Sequence, residues 1–242
     1  MNIEEFSKLM CDSLAKNRLN ATSKEQTESF FAFTEILMRV NQTTNLTAIR
    51  NVEDIIAKHY VDSMLAVDLI SEGARVLDIG CGPGFPSIPL AITRPDLQIV
   101  ALDSTEKKIA FVRDASNLLS LKNLTTISGR AEDSMIRKQI GSVDVVVSRA
   151  VARLNILCEL GLPYLKVGGK LIAMKASKAD EELAEAMNAI EVLGGKHKQT
   201  HSCILHSLNG APESRNLIEI AKIKKTPPIY PRAYAAITKK PL

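Results

Sequence analysis

The spacing of hydrophobic residues changes character once along the chain, near Gly73. Before that point, apolar residues recur every three or four positions, which is the period of amphipathic helices. Ser23 and Asn51 stand where their side chains can accept hydrogen bonds from the first turns of a second and a third helix. We therefore predict that residues 1–72 form an N-terminal helical cap.

From Gly73 onward, short segments rich in valine and isoleucine alternate with helical patterns. The predicted strands are Arg75–Ile79, Gln98–Leu102, Leu124–Ile127, Val143–Val147 and Lys170–Met174. The predicted helices are Ser87–Thr93, Lys107–Leu121, Leu154–Leu162 and Asp180–Leu193. Two further extended stretches, Thr200–Leu208 and Asn216–Ile223, follow each other without a helix, as in an antiparallel hairpin. Residues 73–223 are thus predicted to form an α/β domain with a mostly parallel, doubly wound sheet and an antiparallel edge hairpin.

Composition sets the broad class of the protein. The chain has 242 residues, of which 45% are hydrophobic and 24% charged, and this balance is typical of globular proteins. Its apolar runs are too short to cross a bilayer, and its acidic start at Glu4 and Glu5 is unlike a secretory signal. We expect a cytoplasmic protein. The cysteines and histidines lack metal-ligand spacing, so we predict no metal site.

Positive charge is concentrated towards the C-terminal end. From Arg215 onward, seven basic residues accompany one acid, Glu219, and the rest of the chain is slightly acidic. The net charge of +4 therefore comes from this end. Pro227, Pro228 and Pro231 mark the start of a stretch, residues 224–242, that we predict to be a basic arm. Such an arm fits a polyanion partner and a solvated tail equally well.

The most specific string in the chain is Val-Leu-Asp-Ile-Gly-Cys-Gly-Pro-Gly-Phe, from Val76 to Phe85. Its glycines, Gly80, Gly82 and Gly84, are spaced G-x-G-x-G between a predicted strand and a predicted helix. The dinucleotide fingerprint is G-x-G-x-x-G, whose last glycine serves a pyrophosphate. The shorter spacing here disfavours a dinucleotide, and three glycines in five residues disfavour a mere tight turn.

Two acidic residues indicate which ligand this loop binds. Asp78 stands two positions before the first glycine and suits a ligand with a cationic centre. Asp103 follows the next predicted strand, where a carboxylate can accept hydrogen bonds from both hydroxyls of a ribose. A nucleoside that carries a sulfonium and no phosphate satisfies both conditions. The sequence therefore predicts S-adenosylmethionine as the cofactor.

These residues stand among others that resemble the RsmG family, also called GidB. The resemblance runs from about Asn45 to Ile223 and rests on strings that occur in the family's order. They are Asn45-Leu46-Thr47, His59, Asp62-Ser63, Gly84-Phe85-Pro86-Ser87-Ile88-Pro89-Leu90, Leu102-Asp103-Ser104, Lys107-Lys108, Arg130-Ala131-Glu132, Ser148-Arg149-Ala150-Val151-Ala152 and Lys175. One departure is Ala233-Tyr234-Ala235-Ala236-Ile237, where relatives with a similar tail have a Lys-x-Gly-Thr-Pro-like stretch.

The resemblance implies a Rossmann-like class I methyltransferase that methylates N7 of a guanine in 16S rRNA. The acceptor is then the naked RNA, the small ribosomal subunit or its precursor. By position, the family's cofactor contacts fall on Gly80, Phe85, Ala131, Glu132 and Arg149. With Asp78, Gly82, Gly84 and Asp103 from the loop and strand pattern, they make up the predicted cofactor site.

Methylation of guanine at N7 needs no general base, because N7 carries a free lone pair and no proton. Catalysis then depends on holding N7 in line with the methyl–sulfur bond. Arg149 and Lys175, at the ends of the fourth and fifth predicted strands, are the candidate catalytic residues, acting by positioning. Arg149 could bind a phosphate, guanine O6 or the methionine moiety, or it could form a structural salt bridge.

RNA contacts are predicted at seven further positions, namely His59, Lys107, Arg130, Lys222, Lys224, Lys225 and Arg232. His59 also fits a core histidine, and Lys107 also fits a solvated helix face. Three other functions compete with RNA methylation. The basic arm disfavours a small-molecule methyltransferase, the glycine spacing disfavours an NAD-dependent oxidoreductase, and the loop with its two acids disfavours a non-catalytic RNA-binding module.

Overall fold

The N-terminal part consists of helices whose starts are fixed by polar caps. In the computed structural model, which describes residues 1–149 and 151–242, α1 covers Ile3–Lys16 and α2 covers Lys24–Asn41. Asn2 caps α1 and Ser23 caps α2, each within a capping box that satisfies the first free backbone amides. The apolar faces of both helices are buried, which confirms the helical pattern predicted for this part.

The third helix of this part changes its width along its length. It begins as α3 (Val52–Ile55) under an Asn51 cap, widens to π geometry over Ile56–Val61 and ends as α4 (Asp62–Met64). In the wide turn, the Asp62 amide donates to the Ala57 carbonyl, five residues back. Such turns are frequent at functional sites.

Seven strands form a single sheet. They are β1 (Arg75–Ile79), β2 (Gln98–Asp103), β3 (Leu124–Ser128), β4 (Val143–Arg149), β5 (Leu165–Lys175), β6 (Gly195–Leu205) and β7 (Glu213–Lys222). Their order across the sheet is β3-β2-β1-β4-β5-β7-β6. The first five are parallel, whereas β7 pairs antiparallel with both β5 and β6. The α/β class, the mostly parallel sheet and the edge hairpin are confirmed.

Helices between the strands cover both faces of the sheet. They are α5 (Ser87–Thr93), α6 (Glu106–Leu118), α7 (Ser134–Ile140), α8 (Leu154–Gly161) and α9 (Ala179–Val192). The largest core cluster packs α8 and α9 on one face of the sheet. A second cluster joins α1 and α2 to α5 and α6 on the other. The strand order reverses between β1 and β4, so a crevice opens at the carboxyl ends of these strands.

The C-terminal segment, residues 224–242, is docked onto this domain. Its short helix α10 (Tyr234–Lys239) contacts α8, and Ile237 is fully buried in the largest core cluster. Arg232 binds Glu159 of α8 through Nε at 2.8 Å and Nη2 at 2.6 Å. The sequence pattern did not predict α10 or α7, each of which spans fewer than two helical turns.

Among the described residues, no helix is both long enough and apolar enough to cross a membrane.

Candidate active site

A cleft of about 780 Å³ lies at the carboxyl ends of the parallel strands. Seven residues of the predicted cofactor site line it, namely Gly80, Gly82, Phe85, Asp103, Ala131, Glu132 and Arg149. His59, Arg130 and Lys175 line it as well. Asp78 and Gly84, the other two predicted cofactor residues, do not, and neither do the remaining predicted RNA contacts.

The three glycines of the loop after β1 do different things. Gly82 has a φ of +55°, and a Cβ added there would meet no atom within 4 Å, so its α-carbon borders open space in the cleft. A Cβ on Gly84 would come within 2.6 Å of Ile88 Cδ1, inside the core. A Cβ on Gly80 would meet the Val151 side chain. Gly82 is therefore the glycine against which a ligand can lie, whereas packing fills the side-chain space at Gly84, which does not line the cleft.

Asp103 stands at the end of β2 with its carboxylate fixed by backbone amides. The Gly82 amide donates to its Oδ2 at 3.0 Å, and the Thr105 amide donates to its Oδ1 at 2.8 Å. Each carboxylate oxygen can accept more than one hydrogen bond. The arrangement therefore orients the carboxylate at the cleft and leaves it able to accept bonds from a diol.

Asp78 has a structural position, which corrects its predicted contact with the cofactor. Its side chain is fully buried and does not line the cleft. Its Oδ2 accepts hydrogen bonds from the Ser87 amide and hydroxyl and thereby fixes the start of α5 behind the loop. Its Oδ1 has no partner, and burial raises the pKa of this carboxyl to about 7.

Phe85, His59 and Arg149 form one wall of the cleft. The Phe85 and His59 rings are stacked, with centroids 4.2 Å apart, and the Arg149 guanidinium carbon lies 5.3 Å from the Phe85 centroid. Arg149 Nη2 donates to His59 Nδ1 at 3.1 Å, and His59 Nε2 lies 2.9 Å from Thr47 Oγ1. An arginine can only donate, so the histidine proton is placed on Nε2. Burial, reinforced by Arg149, lowers the pKa of His59 to about 3, and the ring is neutral at pH 7.

A buried carboxylate holds Arg149 from the other side. Asp62, from α4, accepts a hydrogen bond from Arg149 Nη1 at 3.0 Å and from Arg215 Nε, on β7, at 2.8 Å. The Lys58 carbonyl accepts from the same Arg149 nitrogen at 2.7 Å. The role of Arg215 could not be predicted from the sequence, because Asp62 and Arg215 are 153 residues apart and nothing local connects them. Asp62 could have been identified from the sequence, because it belongs to one of the strings that resemble the RsmG family.

Residues after β3 form the opposite end of the cleft. The Ala131 carbonyl accepts a hydrogen bond from the buried Tyr164 hydroxyl at 2.8 Å, which fixes this loop on the core. Glu132 lies 3.9 Å from Arg130 Nη1, and the Arg130 guanidinium carbon lies 5.6 Å from the ring centroid of Tyr234 in α10. Tyr234 also lines the cleft, although no pattern in the sequence predicts a role for it.

Lys175 reaches the cleft, but its ammonium is engaged elsewhere. Its Nζ lies 2.8 Å from Glu182 Oε2 of α9 and donates to the Ala152 carbonyl. Glu182 also accepts from the Leu154 amide at the start of α8. The predicted direct role in catalysis is therefore replaced by support of the chain after β4.

The predicted RNA contacts separate into exposed and structural residues. Lys107, Arg130, Lys224 and Lys225 are exposed, so they remain candidates. Lys222 is buried, and its Nζ donates to the Leu193 carbonyl at 2.8 Å. Burial lowers the pKa of Lys222 to about 8. Arg232 is paired with Glu159 as described, and both ring nitrogens of His59 are engaged. The predictions at Lys222, Arg232 and His59 are corrected, because their polar atoms serve the fold.

Among the described residues, His, Cys, Asp and Glu side chains do not gather in any group of three or more that could hold a metal ion.

Sequence comparison identifies relatives along nearly the whole chain. The GidB family model, described as rRNA small subunit methyltransferase G, matches residues 26–217. The Ribosomal RNA small subunit methyltransferase G of Clostridium perfringens (strain SM101 / Type A) is 38% identical over 245 residues, covering 100% of both chains. The protein of that name from Streptococcus pyogenes serotype M12 is 43% identical over 224 residues, covering 91% of this chain and 93% of the relative.

Solved structures share the fold at low sequence identity. The crystal structure of M. jannaschii TYW2 in complex with AdoMet has a TM-score of 0.54 and 17% identity, covering 68% of this chain and 76% of that chain. The Methanococcus jannaschii fibrillarin pre-rRNA processing protein has a TM-score of 0.51 and 16% identity, covering 67% and 76%.

Proposed function

The chain belongs to the GidB family of small-subunit rRNA methyltransferases, and on that basis we propose that it methylates N7 of a guanine in 16S rRNA. The methyl donor is S-adenosylmethionine. The observation that carries this proposal is the cleft itself, which combines the open Gly82 backbone and the oriented Asp103 carboxylate with a wall built around Arg149.

The residues of the cleft fit this cofactor. Gly82 leaves room for a ligand against the main chain, and Asp103 can accept hydrogen bonds from the two hydroxyls of a ribose. When bound, S-adenosylmethionine supplies a methyl group made electrophilic by the sulfonium. Asp78, with its buried and unpartnered Oδ1, contributes through the shape of the loop and the start of α5.

The chemistry of the wall supports a reaction without proton transfer. His59 is neutral at pH 7, and both of its ring nitrogens are engaged by Arg149 and Thr47. Cys81 is buried in the loop, and burial raises the pKa of its thiol, so it is a poor nucleophile. Guanine N7 needs neither a base nor a covalent intermediate. These residues therefore act by shaping the cleft and orienting the acceptor in line with the methyl–sulfur bond.

Arg149 is proposed to serve the cofactor side of this reaction. Its guanidinium is fixed by Asp62, His59 and the Lys58 carbonyl, so its positive charge cannot move away during catalysis. Methylation places a positive charge on the guanine, and a fixed cation beside N7 would oppose it. The carboxylate of the methionine moiety is the better partner for this charge.

Methyl transfer to RNA is tested with labelled cofactor. Purified protein and labelled S-adenosylmethionine are supplied to small subunits and to free 16S rRNA from cells lacking this activity, and the RNA is digested to nucleosides. Label is expected in 7-methylguanosine, and the better acceptor shows at which stage of assembly the enzyme acts. Asp103→Ala should abolish transfer, whereas Asp114→Ala, on the exposed face of α6, should not. Transfer to neither RNA, with cofactor binding intact, would exclude the proposal and favour a small-molecule acceptor.

Exposed lysines of the C-terminal segment are proposed to bind RNA phosphates. Lys224→Ala with Lys225→Ala removes two exposed charges, so RNA affinity should fall and its salt dependence should flatten by up to about two units of log–log slope. The matched control, Lys8→Ala with Lys122→Ala, removes two exposed charges from α1 and from the turn before β3. Equal salt slopes in both pairs would rule out a specific role for the segment. Truncation after Ile223 is unsuitable as a test of RNA binding, because it also removes Arg232, the partner of the buried Glu159.

A further inference from the structure

The aromatic rings that line the cleft differ in whether a base can stack on them. His59 and Phe85 cover each other, Arg149 lies over Phe85, and Phe85 is only 2% exposed. Tyr234 lines the cleft too, but it is 38% exposed, and the Arg130 guanidinium lies over its ring. Among the described residues of the cleft, Tyr234 is thus the aromatic side chain with surface to offer to a nucleobase.

Tyr234 is held in place by the docking of the C-terminal segment. Ile237, three residues further along α10, is fully buried in the main core. Arg232, two residues before Tyr234, is locked to the buried Glu159, and its Nη1 also donates to the Lys240 carbonyl at 3.1 Å. A side chain between two such anchors does not need to be ordered by its ligand, so stacking on it costs little conformational entropy.

The position of Tyr234 in the cleft decides which base it meets. Its partner Arg130 follows β3, which pairs with β2 up to the last residue of β2, Asp103. Arg149, by contrast, is the last residue of β4. Three strand spacings separate β3 from β4 in the order β3-β2-β1-β4, which amounts to about 14 Å. Tyr234 therefore lies at the end of the cleft where the ribose is proposed to bind, away from the Arg149 wall, where the methionine carboxylate is proposed to bind.

We propose that Tyr234, backed by Arg130, stacks on the adenine ring of S-adenosylmethionine and makes the C-terminal segment part of the cofactor site. This inference rests on the proposed function, because it takes the cofactor from it. The segment then has two separate roles: its exposed lysines face RNA, and its helix closes the nucleoside end of the cleft.

Binding of S-adenosylhomocysteine, measured by calorimetry, tests the stacking role directly. Tyr234→Ala and Tyr234→Leu should weaken binding about tenfold, since both remove the flat ring and base–aromatic stacking is lost. Tyr234→Phe keeps the ring and should bind like the wild type. Lys239→Ala, exposed on the same helix, is the control for disturbance of α10. Wild-type affinity in Tyr234→Ala would overturn the proposal, as would loss of RNA affinity with S-adenosylhomocysteine binding unchanged.

A fluorescence signal separates stacking from an indirect effect. The chain contains no tryptophan, so Tyr234→Trp introduces a single reporter at the proposed contact. S-adenosylhomocysteine should quench it saturably, and it should leave Tyr230→Trp unchanged, because Tyr230 does not line the cleft. An unquenched Tyr234→Trp that still binds S-adenosylhomocysteine would contradict the proposal. A wild-type protein that does not bind S-adenosylhomocysteine at all would instead contradict the proposed function.

Discussion

The cleft wall and the C-terminal segment are each anchored by a buried carboxylate that binds arginine, yet the two anchors do different work. In the wall, Asp62 holds Arg149 and Arg215, and both arginines still line the cleft. In the segment, Glu159 is fully buried, and Arg232, which binds it, does not line the cleft.

The difference shows that the acidic partner of an arginine does not reveal the role of the arginine. The role depends on whether the guanidinium remains accessible to a ligand. Both pairs join residues far apart in the chain. Removing Arg232 leaves the buried Glu159 carboxylate without a cation, whereas removing Arg149 leaves Asp62 paired with Arg215. Only the Asp62 pair sits where a ligand can reach the arginine. Changes to the wall should therefore alter catalysis first, and changes to the segment's anchor should alter stability first.

The largest effect, on stability, is expected when the ion pair between Arg232 and Glu159 is removed. Arg232→Ala leaves the buried Glu159 carboxylate without its cation and should lower the free energy of unfolding by about 3 kcal/mol or more. Denaturant titration measures this loss. Adding Glu159→Gln should recover part of it, because an amide is cheaper to bury than a charge. A loss below about 1 kcal/mol, similar to that expected at an exposed residue such as Lys239, would break the comparison.

Next in size is the loss of activity when the wall's anchor is weakened. Arg149→Lys keeps the charge but cannot reach Asp62, His59 and the Lys58 carbonyl together, so kcat/KM should fall at least tenfold. Methylation kinetics on 16S rRNA supply the measurement. Arg153→Lys is the matched control, because Arg153 is an exposed arginine that forms ion pairs with Glu181 and Glu185. This variant should keep nearly full activity. Equal losses in both variants would remove the distinction between the two anchors.

Acid should weaken the wall through His59. The folded-state pKa is about 3 and the unfolded value about 6.5, so only the unfolded state gains a proton as the pH falls between these values. Stability is therefore lost as pH falls from about 6.5. Asp78, whose pKa burial raises to about 7, acts in the opposite direction over part of this range.

The two contributions are separated by comparing the wild type with His59→Gln, which keeps Asp78. The stability advantage of the wild type should shrink by up to about 2.5 kcal/mol between pH 7 and pH 4.5. Denaturant titrations at both pH values give the difference. A difference that does not change with pH would mean that His59 is not held neutral in the wall.

The smallest effects should come from the loop glycines. Gly82→Ala and Gly73→Ala both place a side chain at positive φ with no atom within 4 Å, so each should cost about 1 kcal/mol of stability. Only Gly82 borders the cleft, and only its variant should bind S-adenosylhomocysteine more weakly, by severalfold. Calorimetry on the pair distinguishes backbone strain from occupation of the cofactor's space. Equal affinities would remove Gly82 from the cofactor site.

Local sequence signals were enough for most of the fold. The predicted strand Arg75–Ile79 and helix Ser87–Thr93 are confirmed to the residue, because hydrophobic period and flanking glycines are properties of neighbouring positions. The short helices α7 and α10 and the π turn at Ile56–Val61 were missed. Packing of Ile140 and Ile237 on the main core stabilises α7 and α10, and local spacing does not show that packing.

For the site, the sequence by itself determined the chemical inventory: the glycine loop, the acid after β2 and the arginine after β4. The tertiary structure decided which members face the cleft. It turned Asp78, Gly84 and Lys222 inward to serve the fold and paired the Lys175 ammonium with Glu182. It also brought in Asp62, Arg215 and Tyr234 from distant parts of the chain. Burial and pairing between remote residues depend on packing in three dimensions, and local spacing along the chain carries no record of either.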